Sequence, residues 1–182
     1  MDQIKPHILI VDDVYINLHL LDHLLRHQGY DFSFAQSGEQ VFEIMRQENI
    51  DLILLDVMLP GINGYEVCRK LKAEPRTQDI PVIFLTVKTE KDEIVRGFES
   101  GGVDYVSKPF NSAELIARIR THLDLRGARQ MALEFADRLA ETNERLLLQN
   151  EQLQKASHEI ESLKHLLAQC PECNVKLTDA QL

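Results

Sequence analysis

Four short apolar runs in this 182-residue chain end on residues able to do phosphoryl or metal chemistry. Asp12-Asp13 follows His7–Val11, Asp56 follows Asp51–Leu55, Thr86 follows Val82–Leu85, and Ser107-Lys108-Pro109 follows Val103–Val106. Three carboxylates drawn into one cleft repel each other, and a divalent cation relieves the repulsion. Oxygen-only donors favour Mg²⁺, which keeps several waters and bridges readily to a phosphoryl group. A carboxylate nucleophile, a bound metal and a lysine are what aspartyl phosphorylation requires. Asp56 would attack, the metal and Lys108 would neutralise charge on the phosphoryl oxygens, and Thr86 would donate a hydrogen bond to one of them. Each residue alone has a plainer reading. Asp12 or Asp13 could cap a helix, Asp56 could open a turn before Pro60-Gly61, Thr86 could be a strand-end hydroxyl, Tyr105 core, and Lys108 a solvated charge. The constellation decides against those readings.

That chemistry requires elements able to gather the five side chains. The runs His7–Val11, Asp31–Ala35, Asp51–Leu55, Val82–Leu85 and Val103–Val106 each have the length of a strand, and the first, third and fourth are apolar nearly throughout. Strands buried on both faces read that way. Helix-start signals separate them: Ser37-Gly-Glu-Gln40, Asn63-Gly-Tyr-Glu66, Thr89-Glu-Lys-Asp92 and Asn111-Ser-Ala-Glu114 each set a capping side chain three residues before an acid or amide. Gly29 and the Gly101-Gly102 pair stand where helices should stop, because glycine tolerates the left-handed geometry of a helix end. Five strands alternating with five helices predict an α/β fold, a doubly wound parallel sheet covered by helices on both sides. Ligands of such sheets bind beyond the carboxyl ends of the strands, where the reactive residues fall.

Residues 7–123 resemble the receiver domain of two-component response regulators, a resemblance that implies a flavodoxin-like sheet in the strand order 2-1-3-4-5. The segments that carry the resemblance are Ile8-Leu-Ile-Val-Asp-Asp13, Leu54-Leu-Asp-Val-Met-Leu-Pro-Gly61 with Gly64, Val82-Ile-Phe-Leu-Thr86, and Gly102-Val-Asp-Tyr-Val-Ser-Lys-Pro-Phe110. The resemblance implies that Asp56 accepts a phosphoryl group from the phosphohistidine of a histidine kinase or phosphotransfer protein. It implies that Asp13 ligates Mg²⁺ directly and Asp12 mainly through water, with the Met58 backbone carbonyl as a further ligand. Thr86 and Tyr105 would be the switch pair, the hydroxyl moving toward the phosphoryl group and the ring turning inward. A cis peptide before Pro109 is expected on the same ground, and X–Pro bonds alone adopt cis at modest cost.

The net charge of −9 excludes a chain built to track nucleic acid, since phosphate contacts need a concentrated basic surface. Thirteen basic residues face 19 acidic ones before Asp124, and seven face ten from there on, so neither part holds such a surface. Met1-Asp2-Gln3 lacks the basic start and apolar stretch of a secretory signal. Runs such as Ile50–Leu55 fall far short of the ~20 residues that span a bilayer. A cytoplasmic protein without membrane contact is the expectation, and three cysteines fit a reducing compartment. Cys68 reads as a small buried hydrophobe.

Beyond the receiver, residues 124–168 predict one long helix. Leu125, Ala132, Leu139, Leu146, Leu153, Ile160 and Leu167 recur every seven residues, with Ala128, Phe135, Thr142, Gln149, Ala156 and Leu163 three further on. A repeat sustained over this length predicts a coiled coil, and hence a parallel homodimer. A compact bundle of shorter helices is the rival arrangement. Asn143 and Asn150 leave a second register open, because a buried asparagine can specify two-stranded pairing.

The tail, residues 169–182, carries Cys170-Pro-Glu-Cys173. The pair supplies half of a Zn²⁺ site, which a parallel dimer would complete, with His158 and His165 as further candidate ligands. A reversible disulfide and an inert tail are the alternatives. No helix-turn-helix, diguanylate cyclase, phosphodiesterase or kinase signature follows residue 123. Two outputs stay open: a phosphorylation-controlled dimer or adaptor, non-enzymatic apart from its own aspartyl chemistry, and the regulatory fragment of an enzyme such as a diguanylate cyclase encoded beyond Leu182.

One departure from the family pattern bears on rate. Val87 stands where the family usually has alanine or glycine, and its bulk narrows access to an acylphosphate at Asp56. Val87→Ala is expected to change the dephosphorylation rate, read as the decay of the intact phosphoprotein mass.

Overall fold

The computed structural model describes residues 5–87 and 91–168. The chain divides into two units, Met1–Gln130 and Met131–Leu182. In the first, β1 (His7–Val11), β2 (Asp31–Ala35), β3 (Leu52–Asp56), β4 (Val82–Thr86) and β5 (Asp104–Ser107) form one sheet. All pairings are parallel and the order is β2-β1-β3-β4-β5. Between the strands lie α1 (Tyr15–Leu25) with a 3₁₀ turn at Arg26–Gln28, α2 (Gly38–Gln47), α3 (Gly64–Ala73) and α4 (Lys91–Glu99), and β5 leads to α5 (Ser112–Ala168). β3 and β5 begin one residue later than their apolar runs suggest, while β4 begins at Val82 as its run does and ends one residue later. Asp51 stays outside β3 because its carboxylate accepts the His7 N–H at 2.9 Å and its own N–H bonds the His7 carbonyl at 2.7 Å.

Period-two alternation sorts the strand residues onto two faces. Leu9, Val11, Ile53, Leu55, Val82 and Phe84 pack with Val41 of α2 and Val67, Cys68 and Leu71 of α3. Ile8, Ile10, Leu52, Leu54, Ile83 and Leu85 pack with Leu18, Leu21 and Leu25 of α1 and Leu115 and Ile119 of α5. β3 and β4 are buried at every position, which is why they read as unbroken apolar runs. Each aliphatic side chain so covered contributes on the order of 2 kcal/mol.

Three of the four helix-start signals act as expected. Ser37 Oγ accepts the Gln40 N–H, Asn63 Oδ1 accepts the Glu66 N–H at 2.9 Å, and Asn111 Oδ1 accepts the Glu114 N–H at 3.2 Å. The fourth, at Thr89, lies outside the described residues. Gly29 and Gly101 are left-handed, with φ of 79° and 95°. Gly102 is not: it is small because a Cβ there would sit 2.5 Å from the Phe84 ring.

In the second unit, α5 is helical from Met131 to Ala168, and Leu139, Leu146, Leu153, Ile160 and Leu163 are all at least about half exposed. No helix among the described residues is long and apolar enough to cross a membrane.

Candidate functional site

Strand register assembles the site before any side chain is considered. Val11 pairs with Leu55, so Asp12 and Asp56 leave neighbouring parallel strands side by side. Asp56 pairs with Leu85, which places Thr86 one step further along β4, and Thr86 pairs with Ser107 beside Lys108. The sheet order reverses between β1 and β3, the switch point at which doubly wound folds open a crevice. One carboxylate oxygen from each of Asp12, Asp13 and Asp56 lies within 4.8 Å of the other two.

Burial differs sharply among the three acids. Asp12 is fully buried, Asp56 is 6% exposed, and Asp13 is exposed. Asp12 accepts from the Val14 N–H at 3.0 Å and from the Asn17 amide at 2.9 and 3.1 Å. Asp56 Oδ1 accepts the Met58 N–H at 3.0 Å. The Lys108 ammonium reaches both buried acids, 2.6 Å from Asp12 Oδ2 and 2.5 Å from Asp56 Oδ2. The Lys108 backbone N–H donates to the Thr86 carbonyl at 2.7 Å, and the Lys108–Pro109 peptide is cis.

These contacts set the charge balance. Burial raises the Asp56 carboxyl above its ordinary value, and the bonds from Lys108 and the Met58 N–H only partly offset that. Burial works against the Lys108 ammonium too, but Asp12 and Asp56 outweigh it and the group titrates above its ordinary value. A cation held among the three acids would draw Asp56 back toward its ionised form. The donor set fits Mg²⁺: oxygens only, one acid open to solvent for retained waters, and a lysine placed to share the negative charge.

Thr86 is buried at the end of β4, and Tyr105 is partly exposed on β5. The Arg118 guanidinium lies 5.8 Å from the Tyr105 ring centre, held there by Asp104 at 2.6 Å and Glu114 at 2.8 Å. The Met58 main chain meets the Asp56 carboxylate through its N–H, while the Met58 side chain is exposed. Val87 is 65% exposed at the mouth of the strand end. Cys170 and Cys173 lie outside the described residues. His158 and His165 are exposed on α5.

Sequence reasoning passed over Asn17, because its importance comes from the first turn of α1 swinging it back over Asp12. It also passed over Tyr65 and Glu93, whose contact joins α3 to α4.

A doubly wound sheet with an acidic cluster and a lysine at its switch point defines a domain suited to phosphoryl chemistry. The model of the response regulator receiver domain matches residues 8–120. The chain belongs to that family, whose members use Mg²⁺ at an acidic pocket of this kind. It is 43% identical over 123 residues to the DNA-binding response regulator MtrA of Mycolicibacterium smegmatis, covering 68% of this chain and 53% of that protein. Over 114 residues it is 40% identical to the response regulator PleD of Caulobacter vibrioides, covering 63% of this chain and 25% of that one. The crystal structure of a response regulator from Chloroflexus aurantiacus superposes with a TM-score of 0.65 at 35% identity, covering 66% of this chain and 99% of the other. The chain thus spans about half the length of MtrA and a quarter of PleD.

Removing the lysine would leave two buried carboxylates facing each other. Lys108→Ala is expected to lower stability by about 3 kcal/mol in metal-free buffer. Millimolar Mg²⁺ should restore more stability to the variant than it adds to the parent protein, because it binds the folded site alone. Urea titration with and without Mg²⁺ measures both effects.

Proposed function

We propose that the chain is a phosphorylation switch in which Asp56 takes a phosphoryl group from a histidine kinase or phosphotransfer protein. The observation that carries this reading is the Lys108 ammonium bridging Asp12 and Asp56 while Asp13 stays open to solvent. An Asp56 oxygen attacks phosphorus, and the P–O bond forms as the P–N bond to the donor imidazole breaks. The imidazole leaves with the electron pair of that bond and ends neutral by taking up a proton at the released nitrogen. Lys108 moves its charge onto the phosphoryl oxygens, and Thr86 donates to one of them. Asp12, Asp13, Asp56 and the Met58 carbonyl would hold Mg²⁺, which supplies positive charge for the same oxygens. Hydrolysis returns Asp56 and inorganic phosphate.

The receiver, residues 1–123, then biases a helix at 124–168 that pairs with a second copy as a parallel coiled coil. The exposed seven-residue series Leu139, Leu146, Leu153 and Ile160 supports this, since a lone helix gains nothing from such a stripe. Tyr105 and Thr86 are the switch pair, and α4, β5 and the start of α5 are the face they move. The acidic balance speaks against direct DNA contact by this chain, and a cytoplasmic location fits a kinase partner. A second reading, a receiver governing an enzymatic output such as a diguanylate cyclase beyond residue 182, is favoured by the quarter-length match to PleD. Whether the reading frame stops at Leu182 separates the two.

Incubation with acetyl phosphate and Mg²⁺ should add roughly 80 Da to the intact mass of the parent protein and nothing to Asp56→Asn. Light scattering of the same sample should give the mass of two chains. Mass added to Asp56→Asn would overturn the assignment of the acceptor.

A further inference from the structure

The structure assigns Tyr65 a part in the switch: its hydroxyl is a strut that pins α4 against α3 and holds the receiver in its resting arrangement. This rests on the reading of Asp56 as acceptor and of Thr86 and Tyr105 as the switch pair, and adds to it a residue that the sequence placed only in a helix start.

Tyr65 stands one residue from a backbone contact with the acceptor. Gly64, which opens α3, donates its N–H to the Val57 carbonyl at 3.0 Å, and a Cβ at Gly64 would sit 2.2 Å from the Asp56 carbonyl oxygen. The first turn of α3 therefore rests directly on the strand end that would be phosphorylated. From the next residue, the Tyr65 ring packs edge-on against Phe84 of β4, with centroids 5.2 Å apart. Phe84 lies two residues before Thr86.

The far end of Tyr65 grips α4. Its hydroxyl donates to Glu93, with carboxylate Oε2 at 2.8 Å and the main-chain carbonyl at 3.1 Å. Burial first, then the Glu93 carboxylate, push the Tyr65 hydroxyl up to about 12, so the donor keeps its proton at any physiological pH. Glu93 also faces Arg96, 3.9 Å away on the next turn. α4 is tight on this pair: a Cβ at Gly97 would lie 3.3 Å from the Phe84 ring and 3.8 Å from that of Tyr65.

Tyr65, Phe84, Thr86, Glu93, Phe98 and Tyr105 share the wall of one small cavity. Its volume is about 10 Å³, room for roughly one water. A phenol ring cannot enter that space as it stands. For Tyr105 to turn inward, the walls must part, and the wall tied by a hydrogen bond across two helices is the one made by Tyr65 and Glu93. Inward rotation of Tyr105 thus competes with the Tyr65–Glu93 bond, and losing the bond favours the active arrangement. Tyr65 is a positioning residue in this scheme; it touches neither metal nor phosphoryl group.

The test is Tyr65→Phe, which keeps the ring on Phe84 and deletes only the hydroxyl. With 3-fluorotyrosine incorporated, the Tyr105 ¹⁹F resonance, identified by its loss in Tyr105→Phe, should move in Tyr65→Phe toward its beryllofluoride-bound position. Beryllofluoride, in the presence of Mg²⁺, should bind the variant about fivefold more tightly, the effect of one part-buried hydrogen bond to a charged acceptor. Glu93→Ala, which keeps the main-chain acceptor, should act in the same direction but less, and the double variant should match Tyr65→Phe. If the parent protein binds beryllofluoride but Tyr65→Phe shows the parent's Tyr105 resonance and affinity, the strut is overturned and the acceptor reading stands. If the parent protein binds no beryllofluoride, the acceptor reading falls and takes the strut with it.

Discussion

Two carboxylates that should repel each other lie buried at the ends of adjacent strands, and one ammonium group holds them there. Lys108 reaches Asp12 at 2.6 Å and Asp56 at 2.5 Å from a different strand of the sheet. Burying a charge without a partner costs several kcal/mol, so each of these three groups is tolerable only because of the others. The arrangement is also incomplete in a useful way. The Asp56 carboxyl remains raised above its ordinary value by burial, and Asp13 stands exposed beside the pair, so the cluster has capacity for more positive charge. A site balanced like this responds strongly when a cation or a phosphoryl group changes the local charge.

Everything else in the first unit holds those three groups in register. Parallel pairing sets Asp12 beside Asp56, and the fully buried central strands leave no freedom for a slip, since a one-residue shift would turn every core side chain to the wrong face. The helices add the next level. α1 returns Asn17 to Asp12, and α3 begins on a glycine because the Asp56 backbone passes too close for any side chain. Through Tyr65 the same helix reaches α4, so the charge at the strand ends is mechanically connected to the outer face of the domain.

The second unit obeys different physics. The first unit covers its apolar residues with two packed layers of helix, whereas the helix from Met131 onward leaves Leu139, Leu146, Leu153 and Ile160 open. Helices of this kind owe most of their stability to the burial of an apolar face, and the exposed stripe is the face that the proposed pairing with a second copy would cover. Phosphoryl chemistry needs a rigid, fully buried scaffold, and transmission needs an element that has something left to bind.

The strands, the helix starts at Ser37, Asn63 and Asn111, and the acidic and lysine positions were all legible in the sequence. They depend on local signals: apolar runs of strand length, capping side chains at a spacing of three, and reactive residues at run ends. The family match runs over residues 8–120, the span that holds these segments. Asn17 on Asp12, Tyr65 on Glu93 and Gly102 under Phe84 were not legible, nor was the exclusion of Asp51 from β3. Each joins residues that no periodicity relates, through contacts that exist only once the sheet has folded. Sequence by itself determined which residues could carry charge chemistry and which element each would ride on, because hydrophobic pattern and capping act over a few residues. Tertiary structure alone decided how deeply each acid is buried and which side chains tie one helix to the next, because burial and packing are properties of the folded whole.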